Sequence, residues 1–324
     1  MAIKTKVKRS AESEVILLYE VFEEFIVEKE AFNLAPASIK TYKDTFKRFC
    51  DFYQLDKSTT TDEINQHLIF KWIGTMKQQG LSISSINHYL RDIRCFLYWC
   101  MDDAREYVDK FKVQMLAKQE EPPKCFDDDE VIELLEKPRP RESFTTWRMW
   151  AIVNWVLGTG NRASTICEVK IGDIDFRKKE IELRHTKNKK AQIIPLSSSL
   201  ETALKEYIRV WRKGVDDDAY LFCNVGEEKL TTNALRQSFE KYCKDRGATH
   251  TSIHGLRHNF AKGWVKNNGN MFVLQKILGH STLDMTRRYV KLFGEDLKDD
   301  FDKYNPLDVI KRKQKRTQNV KRDF

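Results

Sequence analysis

A polar stretch broken by two prolines, Glu120-Glu121-Pro122-Pro123, divides the chain into two halves of different pattern. Proline has no N–H to donate and biases the residue before it away from helix, so no regular element is expected to run through this point. Residues 113–125 are therefore expected to be a linker. N-terminal to it, Ile39, Tyr42, Phe46, Phe49 and Tyr53 recur at spacings of three and four, which is one stripe of a helix. Pro36 suits the first turn of that helix. Thr61-Asp62-Glu63 is expected to start another, carrying Ile64, Leu68 and Trp72 and ending at Gly80. Ser84 or Ser85 is expected to cap a third, with Ile86, Leu90, Ile93 and Leu97 on one face. Residues 11–112 read as a bundle of four or five helices, preceded by a basic extension at 1–10.

The second half is mixed. Asp127 to Asp129 supplies a cap and an acidic first turn for a helix containing Val131, Leu134 and Leu135. A helix with Trp150, Val153, Trp155 and Leu157 ends at Gly158-Thr159-Gly160. From Glu180 to Leu196 apolar and polar residues alternate around Thr186-Lys187-Asn188-Lys189-Lys190, the pattern of a β-hairpin with a basic turn. Helices resume near Ser198. The expected fold class is mainly α with a small antiparallel β-sheet (α+β), with a second domain at 126–304. Asn305-Pro306 has the form of a helix start, so 305–324 is expected to be a short helix and a basic tail.

Composition narrows the class without deciding it. The chain carries 57 Lys and Arg against 48 Asp and Glu, a net charge of +9. Residues 1–124 balance, with 19 of each sign, so the excess lies in the second half, and residues 311–324 alone hold seven basic residues and one acidic. Such a balance suits a nucleic-acid partner, although a basic tail alone produces it. The seven cysteines form no C-x-x-C pair and are odd in number, which points to free thiols in a reducing cytoplasm. No apolar run is long enough to span a bilayer, and the basic start lacks the apolar core of a signal peptide. A cytoplasmic protein is expected.

Four separated segments carry the chemistry. They are Gly158-Thr159-Gly160-Asn161-Arg162, the hairpin turn with Lys187, His254-Gly255-Leu256-Arg257-His258, and Leu278-Gly279-His280 with Tyr289 nine residues beyond the histidine. His254 and Arg257 share a helix face, and Ile253, Leu256, Phe260 and Trp264 form a separate apolar stripe that would anchor the helix and leave the His/Arg face open. Imidazole beside guanidinium suits a phosphate, which arginine grips with two parallel hydrogen bonds. Gly279 fits a helix C-terminal cap, and Ser281 or Thr282 would cap the helix that delivers Tyr289. Taken singly, each residue has an ordinary reading: Arg162 as a surface ion-pair partner, Lys187 as a solvated lysine, His280 as a cap, Tyr289 as the edge of a core.

In this order and spacing the four segments resemble the tyrosine recombinase, or phage integrase, family, closely over residues 125–290. The matching features are T-G-N-R, a lysine in a β-hairpin followed by I-I-P-L, H-G-L-R-H, and L-G-H with tyrosine nine residues on. The N-terminal bundle resembles the family's core-binding domain in length and pattern. The resemblance implies that Arg162 and Arg257 grip a scissile phosphate, that His254 and His280 fill the histidine positions, and that Tyr289 is the nucleophile. Counting back from Ile193-Ile194-Pro195-Leu196 selects Lys187, over Lys189 and Lys190, as the hairpin lysine that protonates the leaving 5′-oxygen. Free tyrosine ionises at about pH 10, and His254 is the expected base.

The resemblance implies site-specific recombination of double-stranded DNA bearing inverted-repeat core sites. A homotetramer would act through a 3′-phosphotyrosine and a four-way junction, with no metal, ATP or other cofactor. An accessory directionality factor is a possible further partner. A mobile-element integrase or transposase and a resolvase are equally compatible. The alternatives are a type IB topoisomerase-like enzyme, a telomere-resolving cousin and a non-catalytic DNA-binding relative; all six positions being filled argues against the last. One departure stands out: the family's usual acidic residue three positions after the first arginine is Thr165 here, so Glu168 or Asp173 is expected to orient Arg162 instead. The arm-binding domain of lambda-type members is not expected from the ten or so residues before the first helix.

Overall fold

A computed structural model of the chain describes residues 15–117, 124–184, 191–280, 282, 286, 287 and 289. The expected helix and tail at 305–324, Ser281 and the hairpin turn with Lys187 lie outside the described residues. The chain divides into two compact units between Glu120 and Glu121.

The first unit contains α1 (Leu18–Ala31), α2 (Pro36–Tyr53), α3 (Gln66–Gln78) and α4 (Ile83–Cys100). Pro36 occupies the first turn of α2, and Ile39, Phe46 and Phe49 of the sequence stripe are buried. They share one core with Phe22, Phe25 and Phe96, with the Phe22 and Phe46 rings stacked at 3.7 Å. Two helix starts differ from the sequence expectation. Thr61–Glu63 is a single 3-10 turn closed by a Thr60/Glu63 capping box. Ile64 then runs extended into the core, and α3 begins only after Asn65, whose side chain accepts from the His67 and Leu68 N–H groups. Two good caps lie five residues apart, and the buried Ile64 between them decides which one starts the helix. In α4 the cap is Ser82 rather than Ser84 or Ser85, accepting from Ser85 N–H at 3.2 Å. A third correction concerns the linker. Val113 is 2% exposed, and Asn87 pairs with both the N–H and the carbonyl of Leu116, so residues 113–116 belong to the packed unit.

The second unit runs α5 (Asp128–Leu135), α6 (Phe144–Thr159), α7 (Ala163–Ile166), β1 (Ile174–Asp175), β2 (Glu180–Leu183), β3 (Gln192–Pro195), α8 (Ser198–Trp211), α9 (Thr232–Asp245), α10 (Ile253–Lys266) and α11 (Met271–Leu278). The Asp127 cap of α5 is present as a capping box with Glu130. Nearly every side chain of α6 from Trp147 to Val156 is buried, the pattern of a helix surrounded by others. It packs against α5, α8, α9 and α10. The sheet is antiparallel in the order β1-β2-β3, with Ile181 opposite Ile194 and Leu183 opposite Gln192. Ile181, Leu183 and Ile194 face the core while Glu180, Glu182 and Ile193 face outward, as a period of two requires. Gln192 is the polar exception on the inward face. The fold is thus mainly α with a small antiparallel sheet.

Candidate active site

The site forms where two helices end. Gly160 takes a left-handed conformation (φ +64°) after α6, its N–H bonding to the Val156 carbonyl, and a Cβ there would lie 2.5 Å from Phe260 and 2.7 Å from Leu278. Only glycine meets both demands. Thr159 donates its hydroxyl to the Trp155 carbonyl, and the Trp155 indole N–H donates to Asn161 Oδ1 at 3.0 Å, which fixes the exit path that presents Arg162. Gly279 is likewise left-handed (φ +59°) after α11. Its N–H bonds to Lys276 and that of His280 to Gln275, the 5→2 and 6→1 bonds of a Schellman motif.

That motif leaves carbonyls at the end of α11 to be satisfied from outside. Gln192 Nε2 donates to Lys276 at 2.6 Å and to Ile277 at 3.4 Å, tying the hairpin to this helix end. Arg257 Nη2 donates to Leu278 at 2.9 Å, and Arg162 Nη2 to Gly279 at 3.4 Å. Arg257 also reaches α6, its Nη1 donating to Gly160 at 2.6 Å. One guanidinium is therefore held between two helix C-termini, where partial negative charge favours a cation. It is not on an open face, as the helical spacing suggested. Arg257 is 3% exposed, because α10 enters the wedge between α6 and α11.

Among the described residues no carboxylate pairs with Arg162 or Arg257; their hydrogen bonds run to carbonyls and, for Arg257, to His280. Burial and then the charge of Arg162 push Arg257 down to about 10, and burial lowers Arg162. The carboxylates expected to replace the acid missing at the buried Thr165 are engaged elsewhere: Glu168 binds Lys229, while Asp173 takes Arg184 and the Lys170 N–H. Among the described residues, Arg162 instead meets the end of α11, through the Gly279 carbonyl.

The imidazoles sit around this pair. His280 Nε2 lies 3.0 Å from Arg257 Nη2 and its Nδ1 2.9 Å from Thr286 Oγ1. An arginine only donates, so Nε2 is the acceptor and Nδ1 carries the proton. Burial, then Arg257 and Arg162, push His280 down to about 4, which agrees with a neutral ring. His254 keeps a solvent-facing edge, yet its inner edge is covered, and burial followed by Arg257, Arg162 and Arg236 lowers it too. Tyr289 is 6% exposed. Its ring lies parallel to that of His280 with centroids 6.4 Å apart, and its hydroxyl is 2.7 Å from His258 Nδ1. His258 in turn meets His254 edge-to-face at 4.5 Å.

Five of the six residues singled out in the sequence, Arg162, His254, Arg257, His280 and Tyr289, thus gather in one place; Lys187 lies outside the described residues. The sequence reading assigned no role to His258, Gln192 or Thr286. His258 was visible as a histidine one helical turn after His254, and Gln192 as a polar residue at an inward strand position.

Residues 124–295 match the model of the phage integrase family, and residues 22–103 match that of the phage integrase N-terminal SAM-like domain. The chain belongs to the phage integrase family. It is an enzyme of the tyrosine recombinase class. It is 27% identical over 303 residues to tyrosine recombinase XerA of Pyrococcus furiosus, covering 92% of this chain and 98% of the relative. Its fold is similar to the crystal structure of XerH site-specific recombinase bound to palindromic difH substrate (TM-score 0.68, 21% identity, covering 86% of this chain and 82% of the other). It is also similar to the Tn1549 transposon integrase in complex with transposon right end DNA (TM-score 0.70, 20% identity, covering 88% and 96%).

Proposed function

We propose that this enzyme cuts and rejoins double-stranded DNA at inverted-repeat core sites through a 3′-phosphotyrosine at Tyr289, without metal or ATP. The observation that carries this reading is a pair of arginines beside a tyrosine, with no carboxylate paired to either among the described residues. Holding a buried and a half-buried cation side by side is costly, and a phosphate placed between Arg162 and Arg257 offsets that cost. As the phosphodiester approaches a five-coordinate state, charge concentrates on its nonbridging oxygens, where preorganised guanidiniums act most strongly. In that state His254 supplies a further donor, and His280 keeps Arg257 in place by accepting from it. Tyr289 attacks phosphorus as the bond to the 5′-oxygen breaks, and Lys187 gives that oxygen its proton. The resulting ester retains the bond energy, so an incoming 5′-hydroxyl reverses the step.

The remaining features of the proposal are a homotetramer on two duplexes, exchange through a four-way junction, and a cytoplasmic setting. The likeness to tyrosine recombinase XerA over nearly the full length of both chains supports recombination as the activity, and the palindromic substrate of XerH supports an inverted-repeat site. The transposon integrase likeness supports the mobile-element alternative to the same degree of fold. The test is a nicked half-site substrate that traps the covalent complex. Wild type is expected to accumulate adduct equally with and without EDTA, and Tyr289→Phe to bind the half-site within several-fold but form none. Adduct at normal yield from Tyr289→Phe, or a requirement for magnesium in the cleavage step, overturns the reading.

A further inference from the structure

The imidazole on the nucleophile is not the one that the H-x-x-R spacing selects. His254 and His258 lie one helical turn apart on α10, and the inner of the two, His258, meets the Tyr289 hydroxyl at 2.7 Å through Nδ1. The outer one, His254, touches the His258 ring at 4.5 Å and has a solvent edge. The other described side chains grouped around Tyr289 are less suited to take its proton. His280 turns one nitrogen to Arg257 and the other to Thr286, and Arg257 and Arg162 can only donate.

We infer that His258 is the proton acceptor that activates Tyr289, a role resting on the recombinase reading above. In the step, the phenolic proton passes to His258 Nδ1 while the phenolic oxygen forms its bond to phosphorus. The bond from phosphorus to the 5′-oxygen breaks, and that oxygen takes a proton from the general acid. On religation an incoming 5′-hydroxyl gives its proton back to the general acid as its oxygen bonds to phosphorus, and the phenol leaves and recovers its proton from His258, so the enzyme ends unchanged. The requirement that Nδ1 be free to accept sets the tautomer: His258 carries its resting proton on Nε2, on the side away from Tyr289. His254 is left to face the phosphate and to shield the inner imidazole.

The experiment separates proton transfer from mere support. His258→Ala and His258→Asn are compared with His254→Asn in single-turnover cleavage of the nicked half-site, each with tyrosine and with tetrafluorotyrosine at position 289. The asparagine oxygen stands close to where Nδ1 stood and still accepts a hydrogen bond, but it takes up no proton at neutral pH. The expected result is that both His258 variants bind the half-site as wild type does and cleave about 100-fold or more slowly. The fluorinated phenol, which ionises without a base, is expected to recover most of that loss in the His258 variants and none of it in His254→Asn. If His258→Asn cleaves at the wild-type rate, the hydrogen bond alone matters and the inference falls. It falls equally if the rescue appears in His254→Asn instead. Failure of wild type itself to form an adduct at Tyr289 defeats the recombinase reading and with it this one, whereas normal adduct with unaffected His258 variants defeats only the inference.

Discussion

Gly160 couples the fold to the site closely enough for the cost of a single methyl group to be worked out. Gly160→Ala forces a residue with a Cβ into a left-handed conformation, at about 1–2 kcal/mol. It also drives that Cβ to 2.5 Å from Phe260 Cδ1 and 2.7 Å from Leu278 Cδ2, about 1 Å inside ordinary carbon–carbon contact. Overpacking of that size costs about 1–3 kcal/mol. The stiffer unfolded chain returns about 0.4–1 kcal/mol, leaving a net destabilisation of about 2–4 kcal/mol. In a unit of this size the loss corresponds to roughly 5–15 °C in Tm. Gly214→Ala and Gly247→Ala are the controls. Both glycines are left-handed (φ +74° and +73°) with nothing within 4 Å of a built Cβ, so they report the backbone cost alone. Because the Gly160 carbonyl holds Arg257 Nη1, the same change is expected to slow half-site cleavage more than tenfold at a temperature where the variant is folded, since small displacements of catalytic groups cost that much. Calorimetry of the three variants, with cleavage rates alongside, makes the measurement. Equal losses in Gly160→Ala and Gly214→Ala would refute the claim that α10 and α11 pack directly on this turn.

Three further outcomes are expected. His280 is held near 4 in the fold against 6.5 ordinarily, so between those values the unfolded chain binds a proton that the folded chain does not. Stability of the catalytic unit should therefore fall as pH drops from 6.5 towards 4 and be indifferent to this group above that window; denaturation of His280→Asn across the same range should show a shallower slope. Gln192→Ala frees carbonyls at the end of α11 and is expected to lower the single-turnover cleavage rate about tenfold with half-site affinity unchanged, whereas an unchanged rate would show that the tie does not position Arg162 and His280. Lys187→Ala should block cleavage of ordinary DNA and recover on a substrate with sulfur at the bridging 5′ position, because a thiolate leaves without a proton; rescue in Lys189→Ala instead would move the hairpin register by two.

Much of this was legible in local pattern. The stripe of α2, the Asp127 cap, the alternation of β2 and the terminal glycines of α6 and α11 each depend on residues within a turn or two of one another. Where local signals competed, the sequence misled: Thr60 and Asn65 both cap well, and only the burial of Ile64 between them places the start of α3. Residues 113–116 look like linker because their partner, Asn87, lies on α4. The site shows the same division. Its members could be named from spacing, but the burial of Arg257 and the service of two helix C-termini as arginine ligands are tertiary facts. Glu168 and Asp173 were reasonable substitutes for an acid at 165 by proximity in sequence, yet folding gives them to Lys229 and Arg184. His258 looked like the incidental end of a motif because nothing in H-G-L-R-H says which histidine faces a tyrosine 31 positions away.

The central claim is that Tyr289 becomes esterified to the 3′-phosphate of cut DNA, and mapping the adduct tests it directly. Trypsin cleaves after Arg288 and Lys291, so digestion of the trapped complex should leave the nucleotide on a three-residue peptide, Tyr289-Val290-Lys291. The account predicts that mass spectrometry finds that peptide joined through its phenolic oxygen to a 3′-phosphate, with a free 5′-hydroxyl on the other DNA fragment. A 5′-linked nucleotide, or one carried by any other residue, would contradict it.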